Sequence, residues 1–108
     1  MNESEALAAF SSISSATRLR ILKGLVAAGP EGMTAGEIAE RVDATPSRAS
    51  FHLSNMADAG LVVATRQSRQ ISYRVDFNTM GALVRYLLED CCQNNEIVRG
   101  CCVSGTSC

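Results

Sequence analysis

The stretch from Thr45 to Arg74 limits most strongly what this chain can fold into. Thr45 is a favourable N-cap residue, and Pro46 stands at the first helical position, where its missing N–H costs no hydrogen bond. Apolar residues then recur at helical spacing until Gly60, a typical helix stop. Two β-prone runs follow, residues 61–66 and 71–75, with polar residues between them. The pattern predicts a helix and then a β-hairpin. The apolar residues of the predicted helix are Ala49, Leu53, Met56 and Ala57.

A helix followed by a hairpin with a basic tip is typical of a winged helix-turn-helix, in which the helix enters the major groove of DNA. The net charge is only -1, but residues 45–75 contain four arginines and one acid, Asp58. The basic groups are concentrated where a phosphate backbone would lie. The alternative is a solvated helix and hairpin in a protein-binding module. The candidate DNA contacts are Ser47, Arg48, Ser50, His52, Arg66 and Arg69.

Further helices are predicted on the N-terminal side, at residues 3–13, 16–28 and 35–42. The third has the clearest start, because Thr34 and Glu37 fit a capping box and the flanking apolar residues fit a hydrophobic staple. It leads directly into the Thr45 helix, as in a helix-turn-helix pair. The expected apolar contacts are Leu7, Phe10 and Ile13 on the first helix, and Leu19, Leu22 and Val26, with Ile21 and Leu25 beside them, on the second.

A last helix is predicted to begin at Asn78 or Thr79 and to carry an unbroken apolar face. That face is Met80, Leu83, Val84, Leu87, Leu88 and Cys91. Because the core is nearly complete without it, this helix is expected to pair with its counterpart in a second subunit. Packing within its own domain is the alternative. The predicted fold is therefore mainly α with a small β-hairpin, a winged helix-turn-helix (α-α-α-α-β-β-α), homodimeric through the first and last helices.

All cysteines of the chain lie near its end: Cys91, Cys92, Cys101, Cys102 and Cys108. In a reducing cytosol, clustered thiols more often bind a metal or take part in redox chemistry than form a disulfide scaffold. Adjacent pairs fit tetrahedral zinc poorly. Trivalent arsenic or antimony takes three thiolates, and an organoarsenical takes two. The expected ligands are both vicinal pairs, with Cys108 the least expected, and a redox-labile tail is the alternative. The predicted domains are a winged helix over residues 1–92 and a flexible metalloid-binding tail over 93–108.

The remaining sequence features exclude several classes of protein. Length and 46% apolar content suit one domain. The acidic N-terminus does not resemble a signal peptide, and no apolar run approaches the ~20 residues of a membrane span. These features predict a cytoplasmic protein without a membrane partner. His52 is the only histidine, and Cys92 to Arg99 is spaced C-x₆-R, unlike the C-x₅-R loop of a phosphatase-like arsenate reductase. The prediction is that the protein is not an enzyme.

From Leu7 to Cys92 the chain resembles the ArsR/SmtB family of metalloregulatory winged-helix repressors. The resemblance is carried by SSATRLRILKGL, SRASFHLSNMADAGLV and ISYRV. It implies a homodimer that represses an operon by binding pseudo-palindromic operator DNA and leaves the DNA when an inducer binds. The Cys-x-Cys motif of the best-known arsenic sensors is absent from the third helix, and so is the zinc-type site of Asp and His. The C-terminal Cys-Cys placement is similar to that of a subset of arsenic-responsive members.

This resemblance implies a repressor of an arsenic-resistance operon that is released by trivalent arsenic. Arsenite, methylarsenite and antimonite are the candidate inducers. Two other functions stay open: a soft-metal-binding or trafficking protein, and a repressor switched by thiol oxidation.

Overall fold

The elements of the fold follow one another as the sequence predicts, with one short strand and one short C-terminal helix added. A computed structural model describes residues 1–104. The helices are α1 (Glu3–Ile13), α2 (Ala16–Ala28), α3 (Ala35–Arg41), α4 (Pro46–Asp58), α5 (Phe77–Arg85) and α6 (Glu96–Arg99). The strands are β1 (Met33–Thr34), β2 (Val62–Gln67) and β3 (Gln70–Val75). A 3₁₀ turn spans Gly29–Glu31, and π-helical turns span Tyr86–Cys91 and Gly100–Ser104. The architecture is a winged helix-turn-helix.

The helix starts are fixed by side chains that satisfy the free N–H groups of the first turn. The capping box at α3 is confirmed: Thr34 Oγ1 accepts from the Glu37 N–H at 3.2 Å, and Glu37 Oε1 accepts from the Thr34 N–H at 2.9 Å. At α4, Thr45 Oγ1 accepts from the Arg48 N–H at 3.2 Å. These contacts fix where the two helices of the helix-turn-helix begin.

The three strands form one antiparallel sheet in the order β1-β3-β2. Gln67 pairs with Gln70, so the tip of the hairpin is the two-residue turn Ser68-Arg69, shorter than the polar segment predicted. The strand β1 was not predicted; it joins the start of α3 to β3. Gly32 has φ +67° immediately before it, and a Cβ there would collide with the carbonyl oxygen of Tyr73. Only glycine fits this approach of two backbones.

The core lies between α2, α3, α4 and the sheet. Its largest fully buried side chains are Ile21, Leu25, Ile38, Leu53, Met56 and Leu61. The predicted stripe of α2 was partly wrong, since Leu19 and Val26 are exposed, whereas Ile21 and Leu25, which were placed beside the stripe, are buried. Five apolar positions cover so wide an arc of this helix that spacing alone does not decide which part faces inward. On α1 the predicted contact Leu7 is 59% exposed, while Ala6, Ala9 and Ser12 are buried.

The last long helix begins at Phe77, one residue before the predicted start, because Asp76 accepts hydrogen bonds from the N–H groups of Asn78 and Thr79. Only part of its apolar face is covered. Leu83 is buried, but Val84 is 47% and Leu87 39% exposed.

Beyond Cys92, where the sequence suggested a polar tail, the short helix α6 is capped by the side chain of Asn95. Cys108 lies outside the described residues. Within residues 1–104 no helix is both long and apolar enough to cross a bilayer.

Candidate nucleic-acid interface and thiol cluster

The outward surface of α4 is set by the burial of its inner side. Ala49, Leu53 and Met56 are fully buried, which leaves the opposite side of the helix to solvent. A shallow groove there is lined by Ser47, Arg48, Phe51 and His52. Three of the four α4 residues predicted to contact DNA therefore share one surface. The fourth, Ser50, is exposed but does not line the groove.

Phe51 is a member of this surface that the sequence reasoning missed. Its side chain is 68% exposed, and its ring lies edge-on to that of His52, with ring centroids 5.8 Å apart. The signal available in the sequence was an aromatic residue away from the apolar stripe of an otherwise polar helix face. The surface of α4 therefore combines a cation, hydroxyl groups and an exposed apolar ring.

His52 has a partner in another helix, since Nη1 of Arg18 lies 3.0 Å from its Nδ1. A guanidinium group only donates, so Nδ1 accepts and the ring proton is on Nε2. Burial lowers the pKa of His52 below 6.5, and the charges of Arg18 and Arg48 lower it further. The neutral form of His52 is therefore favoured, and its Nε2–H is left as a donor.

A chain of hydrogen bonds links α1 and α2 to α4. Nε of Arg18 donates to the carbonyl oxygen of Ser12, and the Ser12 hydroxyl donates to Oδ1 of Asn55 at 2.8 Å. Ser12 is 2% exposed, so its hydroxyl depends on this partner. Arg18 and Asn55 thus help to fix α4 against α1 and α2. The sequence had suggested no role for either residue.

The hairpin presents the remaining predicted cations. Arg66 on β2 and Arg69 in the turn are both exposed. Over residues 1–104 the structure has one ion pair, Arg85–Glu89 on α5 and the turn after it, so neither hairpin arginine is neutralised by a carboxylate in that part of the chain. Arg20 of α2, which was not predicted, shares a surface depression with Arg48. These positions give a basic surface of the kind that contacts phosphates.

The cysteines after α5 form a second group. Cys91, Cys92 and Cys102 carry free thiols, whereas Cys101 is disulfide-bonded. Burial, a hydrogen bond with Cys91 and the nearby charges of Cys91 and Cys102 together raise the pKa of Cys92. Both Cys91 and Cys102 thus lie near enough to Cys92 to influence its pKa. Within the described residues, however, no three cysteine, histidine or carboxylate side chains are assembled as a ready metal site.

Fold and surface together define a DNA-binding protein of the winged helix-turn-helix class. Residues 13–64 match the family described as a helix-turn-helix domain. No curated protein matches the chain in sequence. Among solved structures, an ArsR-like transcriptional regulator from Rhodococcus sp. RHA1 is 26% identical, with 83% of this chain and 82% of that chain covered and a TM-score of 0.72.

Two further structures are similar in sequence as well as fold. NolR from Sinorhizobium fredii is 31% identical over 79% of this chain and 84% of its own, with a TM-score of 0.61. A possible transcriptional regulator for arsenical resistance is 28% identical over 74% of this chain and 79% of its own, with a TM-score of 0.64. The chain belongs to the ArsR family of DNA-binding transcriptional regulators.

Proposed function

We propose that the protein is a homodimeric repressor of an arsenic-resistance operon and that trivalent arsenic, bound by the cysteines after α5, releases it from operator DNA in the cytoplasm. The observation that carries this proposal is the adjacent pair of free thiols, Cys91 and Cys92. It ends the helical segment whose exposed apolar residues are available to a second subunit. A ligand at the pair therefore acts on the element that sets the spacing of two recognition helices.

The dimer is supported by apolar side chains left in water. The α5 segment is α5 together with the π-helical turn after it, residues 77–91. Its residues Val84 and Leu87, and Leu7 on α1, are well exposed, and burying apolar surface contributes about 25 cal/mol per Å². Pairing of the first and last helices with those of a second copy would cover these side chains. The two α4 helices would then address half-sites about 34 Å apart on a pseudo-palindrome.

The thiols supply the donor chemistry that trivalent arsenic requires. Thiolate sulfur is a soft ligand and favours soft ions. In the reaction of arsenous acid with three thiols, three As–O bonds break, three As–S bonds form and the thiol protons leave in three waters, so no oxidant is needed. Cys91, Cys92 and Cys102 are the proposed ligands, with Cys101 of the reduced protein as the alternative third. Methylarsenite requires two thiols, and antimonite follows the same exchange as arsenite.

Release from DNA is supported by the finding that, within residues 1–104, no three thiols are assembled as a ready metal site. Completing a three-thiol site would require Cys102 and the Cys91–Cys92 pair to move relative to each other. If the DNA-bound dimer resists this movement, arsenic binds the free dimer more tightly. That difference is the coupling free energy, typically 1–3 kcal/mol.

A second candidate is a repressor switched by thiol oxidation, favoured by the disulfide at Cys101.

One experiment separates the arsenic-released repressor from the redox-switched one. The reduced protein selects its operator from a random DNA pool, and the complex with that labelled duplex is titrated with arsenite, zinc or peroxide while anisotropy is measured. Release by arsenite alone supports the proposal, and release by peroxide alone supports the redox switch. Arsenite that binds the protein without releasing DNA indicates the soft-metal-binding function.

A further inference from the structure

The side chain of Phe51 is not part of the hydrophobic core, since it is largely exposed on the surface of α4. Successive residues of a helix are about 100° apart, so Phe51, two residues from both Ala49 and Leu53, lies on the far side of α4 from the buried stripe. Ala49 and Leu53 are fully buried, and α4 turning to bury Phe51 would expose them. The exposed ring is therefore available to contact a partner outside the chain.

The surroundings of Phe51 favour duplex DNA as that partner. The groove that it lines is completed by Ser47, Arg48 and His52, which offer hydrogen-bond donors. In the major groove the one prominent apolar group is the C5 methyl of thymine, and phenylalanine is among the side chains that contact it. Contact with the neighbouring His52 ring, at an interplanar angle of 69°, restricts how the Phe51 ring can turn.

We propose that Phe51 reads a thymine methyl group and makes a thymine a required base of the operator half-site. This inference rests on the docking of α4 in the major groove, and it is independent of arsenic sensing. Arg48 and His52 would form hydrogen bonds to neighbouring bases, while Phe51 distinguishes thymine from bases without a methyl at that position.

The test removes the methyl group from the DNA and the ring from the protein. The wild-type protein first selects duplexes from a random pool, and each thymidine of the selected site is then replaced in turn by deoxyuridine, which lacks only the methyl. Dissociation constants are measured by fluorescence anisotropy. At one position per half-site we expect the wild type to bind the uracil duplex about four-fold more weakly, the factor that corresponds to ~0.8 kcal/mol for one buried methylene-sized group.

The variant Phe51→Ala is expected to bind the thymine and uracil duplexes equally at that position, and Phe51→Leu is expected to keep part of the difference. The matched control is Phe77→Ala, which truncates another exposed phenylalanine, on α5. It should keep the wild-type ratio of the two affinities whatever its overall affinity. Circular dichroism of each variant confirms that the helices are retained.

Three other outcomes would overturn the inference, and each identifies a different cause. If the wild type selects a site but binds its thymine and uracil forms equally at every position, Phe51 does not read a methyl group, and the proposed repressor function stands. If Phe51→Ala keeps the wild-type discrimination, another residue is the reader. If the wild type enriches no sequence, specific DNA recognition fails together with this inference.

Discussion

Nη1 of Arg18, on α2, lies 3.0 Å from Nδ1 of His52, on α4. The guanidinium group of Arg18, which can only donate, is therefore the donor to the only histidine of the chain. The contact fixes the tautomer of His52 and ties the orientation of its ring to α2. It makes a residue predicted only as a DNA contact part of the scaffold that positions the helix.

The first prediction concerns the pKa of His52. We expect a pKa below 6.5, because burial and the charges of Arg18 and Arg48 disfavour the imidazolium form. Arg18→Ala should raise the pKa toward 6.5, since it removes one of those charges. As there is one histidine, a single pair of imidazole resonances in an NMR titration reports the value. Arg85→Ala, which removes an arginine of α5, should leave it unchanged; an equal shift in both variants would contradict the assignment.

The lowered pKa of His52 also makes the stability of the fold depend on pH. Since the folded pKa lies below the unfolded one, the unfolded chain binds the proton first as pH falls. The contribution of His52 is therefore complete above about pH 6.5 and is lost as pH falls from there through the folded pKa. Urea unfolding at pH 7.5 and 5.5 should show a smaller pH dependence for His52→Gln than for the wild type.

The second prediction concerns the hydrogen bond between Ser12 and Asn55. In Asn55→Ala the buried Ser12 hydroxyl loses its acceptor, and a buried polar group left unpaired costs about 1–3 kcal/mol. Ser12→Ala should cost less, because Asn55 is exposed and water can replace its partner. Urea unfolding of both variants measures the difference. Ser54→Ala, at an exposed neighbouring position, is the control, and equal costs for Ser12→Ala and Asn55→Ala would show that the hydroxyl does not depend on Asn55.

Features set by neighbours in sequence could be predicted from the sequence. The bounds of α1 and α2 agree with the prediction, and so do the caps at Thr34 and Thr45, because N-cap hydrogen bonds join residues three apart. The winged helix-turn-helix was predictable for the same reason, since each helix and the hairpin carries its own local signal.

Features set by contacts between distant residues could not be predicted. The strand β1 is two residues long and exists because β3 lies beside it. The inward side of α2 depends on which helices surround it, so Leu19 and Val26 were misplaced. The Arg18–His52 contact joins residues 34 positions apart, so no helical or strand periodicity in the sequence predicts it. For the candidate DNA surface, residue type identified the polar side chains, whereas the only signal for Phe51 was its position away from the apolar stripe of the helix.

The third prediction separates base contacts from phosphate contacts. Arg48 lines the groove on α4, and arginine is the commonest bidentate partner of guanine. Arg48→Ala should cost about 1–3 kcal/mol on the selected operator and relax specificity. Arg69→Ala, at the hairpin tip, should weaken binding to all sequences alike and reduce the salt slope by about 1. Anisotropy with operator and random duplexes at several salt concentrations measures both, and Arg85→Ala is the control. Unchanged operator affinity of Arg48→Ala would contradict this docking.

The fourth prediction concerns the subunit interface. Leu87 lies where the α5 segment would meet a second copy, and an aspartate there would place an unpaired charge in an apolar contact. Sedimentation should find Leu87→Asp monomeric at concentrations at which the wild type is dimeric. Val26→Asp is the matched control, because Val26 is 45% exposed, against 39% for Leu87, and lies on α2. A dimer that survives Leu87→Asp would exclude this face.

The last prediction concerns the inducer, and it follows from where the free thiols lie. Cys91 is the last residue of the π-helical turn Tyr86–Cys91, and Cys92 follows it. This turn is widened, because the Cys92 N–H bonds to the carbonyl oxygen of Leu87, five residues before it. Arsenic that joins this pair to Cys102 changes the end of the proposed interface helix without touching the DNA surface of α4.

Replacing Cys91 and Cys92 together by serine should therefore keep operator affinity and abolish release by arsenite, whereas Cys108→Ser should change neither. Cys102→Ser should weaken the response to arsenite more than the response to methylarsenite, which needs two thiols. Anisotropy of the reduced protein–operator complex during titration with each arsenical measures all of these effects. If the Cys91/Cys92 double variant still leaves the operator at the wild-type arsenite concentration, the pair is not the sensor, and Cys101 and Cys102 become the ligands to test.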